Sequence, residues 1–104
     1  MKGSPIVDQQ AEAVRIVDKA VASTLALLAV RDDPLLQSFL VELRRYRSLV
    51  LSHWPLSVDE KAGVDIGRVA VRELDGTWPD YVSQLSRLGA FLRADGEVTA
   101  KDSP

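Results

Sequence analysis

The chain has 104 residues, 46% of them hydrophobic, and thirteen Lys and Arg stand against fifteen Asp and Glu for a formal charge of −2. That length points to one domain able to bury a core without staples, and a charge so near balance argues against a dedicated nucleic-acid binder, which carries a basic excess. Cysteine is absent, which excludes a disulfide framework, a thiolate metal centre and a cysteine nucleophile and suits a reducing, cytoplasmic setting.

The first predicted helix begins near Ser4-Pro5 and runs to about Arg31. Val7, Ala11, Val14, Val17 (or Asp18), Val21, Leu25 and Leu28 follow the three-and-four spacing of one helical face, and Ala13, Ile16, Ala20, Leu27 and Val30 cover the adjoining one. Its later half, Ala20 to Val30, carries no charge. That run is shorter than the roughly 20 apolar residues a membrane span needs. Asp8, Glu12 and Asp18 precede it, unlike the basic leader of a signal peptide. A stretch apolar nearly all round is either the central helix of the domain or the seat of a second copy, and a homodimer through this helix is the linked expectation.

Asp33-Pro34 starts the second helix: the aspartate accepts from orphan N–H groups, and the proline has none to leave unsatisfied. It is expected to run to Ser52 or His53, with Leu36, Phe39 (or Leu40), Leu43, Tyr46, Val50 and Trp54 facing inward and Gln37, Arg44, Arg45 and Arg47 outward. Trp54-Pro55 stops it, because the residue before proline is pushed out of the helical region.

Ser57 stands three residues before Glu60, the spacing of a capping box. The third helix is expected from there to Leu74, with the stripe Val58, Ala62, Ile66, Val69 (or Ala70) and Leu74. Gly63 and Gly67 lie on one of its faces, which suits close approach of a neighbour, a kink or a frayed segment; Val69 and Val71 also fit a short strand. Gly76 is placed to end the helix in the left-handed conformation. Thr77, three residues before Asp80, is the expected cap of a fourth helix from about Trp78 to Ala94, with Trp78, Tyr81 (or Val82), Leu85, Leu88 and Leu92 on one face and Phe91 beside it.

The fold class is therefore all-α: a four-helix antiparallel bundle with short turns and a long first helix. Residues 1–96 form its single domain, and residues 97–104 are read as a disordered tail.

Chemistry-bearing patterns are sparse. His53 is the only histidine, so no pair can share a metal, and its place at a helix end suits a contact with the last carbonyls. Asp8 and Glu12 share a helical face but fall short of the six or more oxygens a hard cation wants. Asp32-Asp33 and Asp59-Glu60 sit at helix starts, where the dipole favours them. No glycine-rich phosphate loop and no nucleophile elbow is present, so neither an enzyme nor a cofactor is expected.

The sharpest charge feature is Arg44-Arg45-Tyr46-Arg47, whose guanidinium forks suit carboxylates at a protein interface. These arginines pair with Asp65, Glu73 or Asp75 of the third helix, or simply face water, or they bind a partner. Trp54 and Trp78 are read as plugs at the ends of the core, with indole N–H groups satisfied by carbonyls. The leading expectation is a non-enzymatic protein-interaction module (a small adaptor, an antidote or a chaperone-like protein) using Arg44, Arg45 and Arg47. The alternatives are a helix-turn-helix DNA reader offering Asp80, Ser83, Gln84 and Arg87, with an acidic first turn that counts against it, and a bundle binding a small ligand in a cavity.

Overall fold

The Asp33-Pro34 signal works as its chemistry requires. In the computed structural model, which describes residues 5–74 and 76–94 and side chains from Gln9 onward, the Asp33 carboxylate accepts from the Leu35 amide at 2.9 Å. Among the described residues five helices follow in order: α1 (Pro5–Val30), α2 (Pro34–Ser52), α3 (Val58–Ala62), α4 (Ile66–Glu73) and α5 (Pro79–Arg93). The described residues contain no strand, so Val69 and Val71 are helical. The expected tail, residues 97–104, lies outside the described residues.

The first two helices run antiparallel: three residues turn the chain between them, and the Gln10 side chain at the start of α1 donates to the Val50 carbonyl near the end of α2 at 2.8 Å. The inward stripe of α2 is as its spacing predicts, with Leu36, Phe39, Leu43, Tyr46 and Val50 all buried. Trp54 is half-buried, and the chain passes through a cis Trp54–Pro55 peptide.

The third predicted helix is bent into two. The Ser57–Glu60 capping box forms in full, but α3 lasts five residues before Gly63 caps it, and α4 starts after Val64 and Asp65. Val58 and Ala62, expected to face inward, are exposed, Val58 at 81%. Val64, at the bend, is buried in their place. A short exposed helix with two glycines nearby gains too little burial to hold one straight axis, and bending at Gly63 lets Val64 reach the core. The inward stripe resumes in α4 with Ile66, Ala70 and Leu74.

The two glycines have different roles. Gly67 is where α4 meets α5: a Cβ there would stand 2.8 Å from the Ser86 Cα, so the two backbones touch. Gly63 meets only its own turn. Arg93 near the end of α5 donates from Nη1 to the Val64 carbonyl at 2.9 Å, so α4 and α5 are antiparallel as well. α1 lies against α2 and α5 together, and a shared core of Val17, Phe39, Leu43, Leu85, Leu88 and their neighbours closes the bundle.

At the start of α5 the expected cap is displaced by one residue. Trp78, not Thr77, occupies the N-cap position, and no side chain caps the helix. Pro79 bars Trp78 from the right-handed helical region. Gly76 has already turned the chain at φ 77°, and Trp78 takes the left-handed conformation at φ 49°, ψ 61°. For a residue with a Cβ this costs about 1–2 kcal/mol.

Candidate functional site

The α1–α5 seam carries most of the unusual features. Thr24 is buried at its centre. Its hydroxyl donates to the Ala20 carbonyl at 2.7 Å and therefore accepts from the Tyr81 hydroxyl, 2.6 Å away. Above this bond the helices part into a groove. One section, about 490 Å³, is lined by Ala26, Leu27, Trp78, Pro79 and Tyr81 with Ser23, Asp80 and Gln84 at its edge. The next, about 350 Å³, shares Ser23, Asp80 and Gln84 and is lined further along by Arg15, Ile16, Lys19 and Arg87. The groove is thus apolar at one end and cationic at the other, over roughly three turns of α1 from Arg15 to Leu27.

The strained Trp78 forms the apolar end. The Arg31 guanidinium lies 5.4 Å from its ring centroid, within cation–π range, and reaches Asp33 at 3.6 Å on its other side. The α1–α2 turn is thereby fastened to the α4–α5 turn. At the cationic end Arg15 is held by Glu12, whose carboxyl the hydrogen bond from Arg15 keeps below the ordinary range. Lys19 and Arg87 make no hydrogen bond or ion pair among the described residues.

The arginines singled out from sequence sit elsewhere. Arg45 pairs with Glu42 of its own helix at 2.9 Å and Arg47 with Asp18 of α1 at 2.7 Å. Neither uses Asp65 or Glu73 as its ion-pair partner, and Asp75 lies outside the described residues. Exposed pairs of this kind contribute about 0–1 kcal/mol. Arg44 is exposed without a hydrogen bond or ion pair among the described residues. The apolar run of α1 is not surrounded: Ala20 and Thr24 are buried, but Ala22, Leu25, Ala26, Ala29 and Val30 are exposed, Val30 at 86%. Of the helix-turn-helix set, Asp80, Gln84 and Arg87 line the groove beside α1, and Ser83 faces outward. His53 caps α2, with Nδ1 3.2 Å from Glu60 Oε2.

Neither tryptophan fits the simple plug. The Trp54 indole N–H is buried without a hydrogen-bond partner among the described residues, and so is the Tyr46 hydroxyl. That hydroxyl approaches the backbone amides of Asp65 and Ile66 at the uncapped start of α4 without completing a bond. Burial, and then the charge of Glu42, push the Tyr46 phenol up to about 12. Burial also raises Tyr81, against the bond to Thr24. Both tyrosines are neutral in folded and unfolded chains below about pH 10, so their contribution is fully present there. Above that the unfolded chain ionises first, and stability is expected to fall steeply as pH rises from about 10 towards 12. Ultraviolet phenolate absorbance followed together with far-ultraviolet dichroism checks this: the buried tyrosines should ionise only as the helices melt.

Among the described residues there is no group of His, Asp or Glu placed to hold a metal ion, and no helix is long and apolar enough to cross a membrane. No protein-family model, curated protein or solved structure matches this chain.

The groove was only partly visible in the sequence. Arg15 and Lys19 lie at i and i+4, so one helical face carries both charges. That they meet Arg87 depends on the pairing of α1 with α5, which no local spacing encodes.

Proposed function

We infer that this protein is a non-enzymatic interaction module whose α1–α5 groove receives an amphipathic segment of another protein. The observation that carries the reading is the groove's polarity. Leu27, Trp78 and Pro79 offer an apolar seat at one end, while at the other Arg15, Lys19 and Arg87 outnumber the single lining acid, Asp80, and Lys19 and Arg87 form no ion pair among the described residues. The occupant that fits is a helical segment with an apolar anchor and, two to three turns away, acidic side chains. A half-exposed tryptophan held in a strained conformation supports the same reading, since aromatic anchors dominate protein interfaces and backbone strain gathers at binding sites.

The test is a display library of helical peptides selected against the full chain. Enriched peptides are expected to carry large apolar residues at one end and Asp or Glu at the other. Trp78→Ala and the exposed pair Lys19→Glu with Arg87→Glu should each weaken them by tenfold or more. The charge reversal leaves the core untouched, so it separates lost binding from lost folding. No enrichment, or peptides indifferent to the charge reversal, would overturn the reading.

Self-association through α1 belongs to the same proposal, because the exposed face Ala22, Leu25, Ala29 beside the groove is uncharged and its two alanines admit a second helix closely. Light scattering that finds only monomer at high micromolar concentration removes it. With no cysteine to protect, the cytoplasm is the compartment we assign. Arg44, which among the described residues has no fixed acid while Arg45 and Arg47 do, is a secondary contact in this scheme.

A further inference from the structure

On the other flank of α5 a second cleft, of about 260 Å³, is lined by Gly67, Arg68, Val71, Arg72, Ser86 and Arg93. Three of these six residues are arginines, and among the described residues no Asp or Glu lines the cleft. We propose that this cleft binds a phosphate monoester or free phosphate, held by Arg68, Arg72 and Arg93.

The convergence has a backbone cause. Because Gly67 lets α4 touch the Ser86 backbone, residues of both helices beside the crossing line one small cleft. Arg93 is fixed there by its bond to the Val64 carbonyl, which engages one of five N–H donors and leaves the rest of the fork available. Arg68 has no hydrogen bond or ion pair among the described residues. Arg72 meets Glu73 at 3.2 Å, an exposed pair that a stronger anion can outcompete. Like charges gathered at a concave surface call for a counter-charge, and a tetrahedral oxyanion matches the bidentate reach of guanidinium. Ser86 adds a hydroxyl, and the exposed Val71 offers an apolar wall for an organic group beyond the phosphate. The cleft has the scale of one phosphate and a small substituent. It is not an extended track, and the first turn of α5 carries Asp80, so a small ligand fits better than a nucleic-acid backbone.

The experiment is a titration of the full chain with inorganic phosphate and, separately, phenyl phosphate at constant ionic strength. Backbone amide and arginine Nε–H resonances are followed by NMR. Saturable shifts confined to Gly67, Arg68, Arg72, Ser86 and Arg93 are expected, with phenyl phosphate binding more tightly if Val71 receives its ring. Arg68→Gln, at an exposed side chain that holds nothing else in place, should weaken binding at least fivefold while the spectrum elsewhere stays unchanged. Non-saturating shifts spread equally over Arg15, Arg44 and Arg87 would overturn the proposal. So would tight, salt-sensitive binding of duplex DNA with no response to either phosphate. Failure here leaves the α1–α5 groove untouched, since the two clefts share no residue.

Discussion

Leu85→Ala should lower the unfolding free energy by about 3–5 kcal/mol, the range for a leucine truncated where the surroundings cannot collapse. Leu85 is fully buried on α5, the helix that faces both α1 and α4, so the void opens where three helices meet. A domain of this size holds only about 5–15 kcal/mol in total, and the melting temperature should drop by more than about 10 °C. Urea unfolding checks it through a shifted midpoint at unchanged slope. A loss under about 1 kcal/mol would mean that the core is loosely packed at this position.

Gly67→Val should cost about 3 kcal/mol or more for the opposite reason. Its Cβ alone would intrude to 2.8 Å from the Ser86 Cα and 3.2 Å from the Leu85 carbonyl. Both are backbone atoms, so the helices themselves must separate. Gly89→Ala is the matched control. Its Cβ would press on Arg93 Nη1 at 3.3 Å, the atom bonded to the Val64 carbonyl, and otherwise make ordinary contacts with the Gly67 amide at 3.8 Å and Val64 Cγ1 at 4.0 Å. A side chain rather than a backbone must give, and the gain in helix propensity, about 1 kcal/mol, offsets much of that cost, so the loss should be well below that of Gly67→Val. Thermal melts of the two variants side by side decide the matter; equal losses would show that the α4–α5 crossing is not set by Gly67.

The inward faces of α2 and α5 were legible from their period, and at α2 the cap agreed with it: Asp33-Pro34 opens α2, and Leu36, Phe39, Leu43 and Leu85, Leu88, Leu92 are all buried. The break at Gly63 was not legible, because the stripe from Val58 to Leu74 fits one helix as well as two. Only the burial of Val64 decides between them. The Thr77 cap failed where a sequence rule met a tertiary demand: Pro79 and Gly76 together fix the turn, and Trp78 takes the helix-start position. The candidate site was the least legible part. Arg44, Arg45 and Arg47 are adjacent in sequence and therefore conspicuous, yet two of them are occupied by neighbouring acids. Arg15, Lys19 and Arg87, like Arg68, Arg72 and Arg93, come together only through helix pairing.

The two indoles stand at opposite ends of the bundle, Trp54 beyond the close of α2 and Trp78 before the start of α5. The first has its ring nitrogen in dry surroundings, and the second opens onto the groove under a guanidinium. The molecule thus carries its own pair of optical reporters with different colours of emission. With Trp54 changed to phenylalanine, the remaining light comes from the groove mouth alone, and occupancy there can be watched without attaching any dye.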